Sequence, residues 1–193
     1  MPDFIKVLSF PLLLCFSSCL GFSEQQAYSS IAVMPESLGM KMDVTTKKQA
    51  KNILRTKGYP IIVEPKTFSA SFRKFIGSIQ LTTSQKGKIA SAFGKMSTLI
   101  AFSAKDESHY HWIGLYFDEN QKLVIFITKG QEEIFKQLLG RKNLIMPSKP
   151  KEKLTGFRKD FSEELFRRES DGNISYAIFS RNMLERVAEA CTK

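Results

Sequence analysis

Between positions 97 and 128 the chain shows its clearest rhythm: apolar runs rich in β-branched and aromatic residues, separated by short polar breaks. The breaks are Lys105-Asp106-Glu107-Ser108 and Asp118-Glu119-Asn120-Gln121. Such alternation predicts an antiparallel meander with strands over 97–104, 109–117 and 122–128. The middle strand carries the only tryptophan, Trp112, and both histidines, and is expected at the centre of the sheet. Elsewhere the period changes from two to between three and four. Over 47–56, Ala50, Ile53 and Leu54 form one face, with Thr45-Thr46 in place to cap the helix and Gly58 just past its end. Phe68, Phe72, Phe75, Ile76 and Ile79 mark a second helix over 67–79, and Ile89, Ala92 and Phe93 a third over 85–96. Ile134, Leu138 and Leu139 place a helix over 131–139. Phe157, Phe161, Leu165 and Phe166 place another over 156–168, and Leu184, Val187 and Ala188 a last one over 181–190. Short strands are expected near 59–64, with Pro60 suited to an edge, and near 173–179, after the turn Asp171-Gly172-Asn173.

This order predicts an α+β fold: an antiparallel meander over about 97–128, two additional strands, and flanking helices. The outer strands of the meander are apolar on both faces, so cover is expected on both sides of the sheet. The order resembles a profilin- or PAS-like arrangement, an analogy of architecture that implies no function.

The first 44 residues follow another pattern. Lys6 precedes an apolar run from Val7 to Phe16, and small residues follow. A charged start, a short apolar core and small residues are the build of a secretory signal peptide over 1–22, too short to span a bilayer comfortably. Phe16-Ser17-Ser18-Cys19 resembles a bacterial lipobox, which implies lipidation at Cys19 and a membrane anchor; Phe16 stands where leucine is usual. Residues 23–44 read as a tether or loosely packed lead-in, and 45–193 as a single α+β domain. Cys191 is then the only cysteine of the mature domain, so no disulfide within it is expected.

Composition adds one fact that matters. The chain of 193 residues carries a formal net charge of +10, which favours contact with anionic lipid, nucleic acid or an acidic partner. The basic stretch holds Lys142, Lys149, Lys151, Lys153, Arg158 and Lys159, the candidate anion-binding residues. Phe157, Phe161 and Phe166 are interleaved, but their spacing of four turns them to a core rather than to stacked bases. Leu81 to Gln85 has the look of a helix-turn-helix entry, yet a strand is expected where a recognition helix belongs, so DNA reading is not favoured.

His109 and His111 are the sharpest candidate chemistry. Residues i and i+2 of a strand point to one face, so two imidazoles would stand together as a two-point metal site. Asp106, Glu107 or Asp118 would have to supply the third ligand. Glu132-Glu133 and Glu163-Glu164 are neighbours on expected helices, point apart, and read as solvated. Cys191 sits late in its helix, where the dipole does not favour a thiolate. No phosphate-binding loop, nucleotide fingerprint or nucleophile elbow is present, and neither catalytic residue nor cofactor is assigned. The expectation is an exported protein of the bacterial envelope, lipid-anchored or periplasmic, or else secreted. It would act as a binding module through a basic surface, with the membrane, an envelope protein or another anionic partner as its contact. The alternatives are a metal-dependent enzyme or metal-binding protein at His109 and His111, and a secreted protein that binds anionic lipid or nucleic acid.

Overall fold

The computed structural model describes residues 33–65, 83–84, 87–88, 91, 96–103, 111–140, 145–157 and 162–192. The described residues build one seven-stranded antiparallel sheet and four helices, an α+β fold. The strands are β1 (Ile61–Val63), β2 (Ser97–Ser103), β3 (His111–Phe117), β4 (Leu123–Gly130), β5 (Lys153–Phe157), β6 (Glu163–Arg168) and β7 (Ile174–Phe179). The helices are α1 (Pro35–Leu38), α2 (Lys47–Thr56), α3 (Glu132–Leu139) and α4 (Arg181–Thr192). Strand order is β1-β2-β3-β4-β7-β6-β5. Two runs of sequential pairing therefore meet at β4 and β7. The passage through α3 carries the chain from the middle of the sheet to its far edge.

The meander over 97–128 is present as β2, β3 and β4. Its centre is displaced from the expected one. β4 is the middle strand of the sheet, and β3 lies beside it. Leu123 to Thr128 of β4 are buried on both faces, and so are Ile113 to Phe117 of β3, while Trp112 near the start of β3 is half-buried. A strand covered on both sides needs unbroken apolar side chains, and β4 has them.

Helix α2 starts where its sequence requires. The Thr46 hydroxyl accepts from the Gln49 amide at 3.3 Å, and the Gln49 side chain accepts from the Thr46 amide at 2.8 Å, a reciprocal capping box. Gly58, at φ +85°, takes the left-handed position past its end. Ala50 and Leu54 point into the core beneath it. The same segment is sewn to the β3–β4 turn, since Leu123 N donates to Thr45 O and Lys47 N to Gln121 O, both at 2.9 Å.

Two expectations are corrected. The end of the lead-in is packed, not loose: Met34, Leu38 and Met40 belong to the core cluster with Leu54, Leu99, Leu115 and Phe126. Over 156–168 none of the described residues is helical: Gly156 and Phe157 lie in β5 and Glu163 to Arg168 in β6, which pair with Leu154 opposite Phe166 and Gly156 opposite Glu164. Side chains four apart share a face in a helix and in a strand alike, so the spacing of Phe157, Phe161 and Leu165 fits both. The helix expected over 67–79, and most of that over 85–96, lie outside the described residues.

Around β6 the core is aromatic. Phe135 of α3 meets Phe166 at 6.3 Å between ring centres and Tyr176 at 5.3 Å, and Phe166 and Tyr176 stand 4.7 Å apart. This cluster holds α3 on the sheet. It fixes the C-terminal half of the fold beneath the basic end described next.

A basic end of the sheet

The loop into β5 is ordered by one carboxylate. Glu152 accepts from Ser148 N, from Ser148 Oγ at 2.9 Å and from Lys149 N at 2.8 Å. The Lys149 amide, with the Ser148 hydroxyl and amide, holds the Glu152 carboxyl below its ordinary value. Met146 and Pro147 are buried and anchor the loop from below. Lys151 is held in the left-handed region at φ +66°, and its amide donates to Arg168 O at 2.8 Å. Lys149 and Lys151 are exposed, while Lys153 enters the sheet and is half-buried.

Arg168 ties this loop to two other elements. Its guanidinium donates to Pro147 O, to Glu132 of α3, and to Gly172 O in the β6–β7 turn. Glu132 is held below its ordinary value by Lys136, an effect opposed by burial and reinforced by Arg168.

The opposite face of the same strands carries a polar row. Register places Lys153 opposite Arg167, Arg167 opposite Ser175, and Ser175 opposite Lys129, so one row of side chains crosses β5, β6, β7 and β4. Two acids close the row. Glu169 accepts from Ser175 Oγ at 2.5 Å and lies 3.8 Å from Arg167 Nη2, and Asp171 pairs with Lys129 at 2.6 Å. Burial raises the Asp171 carboxyl, but Lys129 and Asn173 more than offset this, and its pKa falls below the ordinary value. Burial first, and then the facing Arg167, bring Lys153 down to about 8.

The depressed carboxyls fix the sign of the acid response. Glu132, Glu152 and Asp171 all hold their protons less tightly in the folded chain than in the unfolded one. The stability they contribute is therefore complete above the ordinary carboxylate range and is lost as pH falls through it. The urea midpoint should be level from neutrality down to about pH 5 and fall below about pH 4. A midpoint unchanged down to pH 3 would contradict these pairings.

The sequence reading of Glu163 and Glu164 as solvated is overturned: both are nearly inaccessible, at 2% and 1%. In β6 they point to opposite faces of the sheet. Glu164 lies under Gly156, where an added Cβ would stand 3.3 Å from its carboxylate, and it accepts from the Tyr176 hydroxyl at 3.2 Å. Nothing in the sequence period marked them, but an acidic pair inside a run that also reads Leu165-Phe166 was an available signal of a strand with polar partners.

His111 opens β3 opposite Ser103, and His109 lies outside the described residues. Asp118 follows the other end of β3, about 23 Å along the strand from His111, so the two share no metal ion. Asp118 instead accepts from Lys122 N at 2.8 Å in the β3–β4 turn. Among the described residues no group of three His, Cys, Asp or Glu converges as a metal site. Cys19, Lys142, Arg158 and Lys159 lie outside the described residues. Among the described residues no helix is long and apolar enough to cross a membrane. Comparison with protein-family models, with curated proteins and with solved structures gave no match.

Proposed function

We propose that the chain is an exported protein of the bacterial envelope that acts by binding, and that its contact surface is the basic end formed by the loop into β5 and by β5 itself. The observation that carries this reading is the display of Lys149 and Lys151, both exposed, beside Lys153 on a strand at the end of the sheet order. The Glu152 turn and the Arg168 clamp hold the lysines in place, so their charge is presented by an ordered loop. The leader pattern over 1–22 supports export, and Cys19 in its lipobox-like setting supports an anchor at the membrane. The net charge of +10 supports an anionic contact, and a protein tethered at the envelope meets anionic headgroups first.

The test uses a variant that should not harm the fold. Lys151 occupies a left-handed position that glycine adopts without cost, so Lys151→Gly removes charge while relieving the backbone. The double variant Lys149→Ala/Lys151→Gly should keep or raise the melting temperature. Each lysine contributes about 1 kcal/mol near an anionic surface, so binding to vesicles of phosphatidylcholine and phosphatidylglycerol should weaken about 30-fold at low salt. Equal binding by variant and parent, or binding that ignores salt, would sink the proposal.

A further inference from the structure

Ile145 is the most exposed large apolar residue among the described residues, at 77%, well above Val44 at 57%. A single apolar side chain in water is ordinary on a protein surface. Two features set this one apart. The first is that its backbone is held. Met146 and Pro147, the next two residues, are buried, and Pro147 O accepts from the Arg168 guanidinium. Turning Ile145 inward would disturb both neighbours. The second is its charge setting. Lys151 N donates to Arg168 O at 2.8 Å, so residues 147–151 close on the same arginine, and Lys149 and Lys151 are exposed on the loop this makes. Two residues of chain reach at most about 7 Å, which keeps Ile145 beside Pro147 and that loop. The acid of the loop, Glu152, is engaged by the Ser148 and Lys149 amides.

We propose that Ile145 is the apolar anchor of this surface: it enters the acyl boundary of an anionic bilayer while Lys149 and Lys151 meet the headgroups. A bilayer places hydrocarbon directly beneath an anionic layer, which is the pairing that an exposed isoleucine beside two exposed lysines matches. Lysine stems can lie along the apolar layer with their ammonium groups at the phosphates, so both kinds of side chain are accommodated at one depth. Nucleic acid would meet the lysines equally well and leave Ile145 in water. The inference rests on the reading of the basic end as the contact surface, and adds which partner is met and which side chain enters it.

The two contributions respond differently to salt. Attraction between exposed lysines and headgroups is screened, whereas removal of an isoleucine from water is not. Ile145 should therefore add a constant factor to the affinity, and the lysines should set its dependence on ionic strength.

The probe is vesicles of phosphatidylcholine and phosphatidylglycerol, titrated at low and at moderate salt. Ile145→Ser should bind about 10-fold more weakly at both, with the salt dependence of the parent. Ile145→Leu should bind as the parent does, and Lys149→Ala/Lys151→Gly should show a flatter salt dependence. Without lipid, Ile145→Ser should melt with the parent, because the side chain it replaces is already in water. A second readout uses the unaltered chain in bicelles that carry a spin label on the lipid acyl chain. The Ile145 methyl signals should broaden more than those of Ile61, an exposed isoleucine on the strand at the other end of the sheet order. Equal binding by Ile145→Ser and parent overturns this inference and leaves the contact through the lysines standing. Ile145 methyls that broaden no more than those of Ile61 overturn it as well, whatever the variants do. Absence of any vesicle binding overturns it together with the reading on which it rests.

Discussion

Tyr176→Ala should be among the most damaging single changes to this fold, lowering stability by about 4 kcal/mol and the melting temperature by roughly 10 °C. Tyr176 has no exposed surface, packs at 4.7 Å against Phe166 and 5.3 Å against Phe135, and donates its hydroxyl to Glu164. Removing the ring opens a cavity between α3 and the sheet that neighbours on β6 and β7 cannot close without shifting strands. Tyr176→Phe separates the contributions. It keeps the ring and deletes one donor to a buried carboxyl, so the cost should fall to about 1–3 kcal/mol. Urea denaturation of the two variants measures both. Equal loss in both would mean that the hydroxyl, not the packing, holds this part of the core.

Arg168→Met should rank next, at about 2–3 kcal/mol, below the range for fully buried pairs because Arg168 and Glu132 keep some exposure. One guanidinium joins α3 through Glu132, the loop through Pro147 O, and the β6–β7 turn through Gly172 O at 3.2 Å. Methionine keeps the apolar stem and loses all three bonds. The loss should also be local. Amide hydrogen exchange should speed up over α3 and over 145–152 while β2 and β3 stay protected. Uniform acceleration would show that Arg168 supports the whole sheet rather than this end. The same variant should weaken vesicle binding, since it frees the loop that presents Lys149 and Lys151.

Legibility in the sequence followed local chemistry. Helix α2 was readable to the residue because Thr46, Gln49 and Gly58 each act within one turn of its ends. The meander was readable because β-branched runs and four-residue polar turns are local signals too. The β5–β6 hairpin was not. Its apolar side chains recur every fourth position, and a spacing of four puts residues on one face under either period. What decides for the strand is tertiary: β7 on one side offers a fully buried partner, from Ile174 to Phe179. The polar row had the same fate. Lys153, Arg167, Ser175 and Lys129 are neighbours only through register across four strands, and no spacing along the chain announces them. Lys153 was legible as one of a run of basic residues, but nothing along the chain marked Arg167 as its buried counterpart. Met34, Leu38 and Met40 were passed over because a polar lead-in hides how few apolar residues a core needs to recruit.

The central claim is that this chain acts through the basic end of its sheet, and amide NMR of the folded chain titrated with phosphatidylglycerol vesicles or bicelles tests it most directly. Shifts and broadening should concentrate over 148–154 and 167–173, with Lys149, Lys151 and Lys153 among the first to respond and with reversal on raising salt. Perturbations centred on the opposite edge, at Ile61 and Val63, or none anywhere at low salt, would contradict the account.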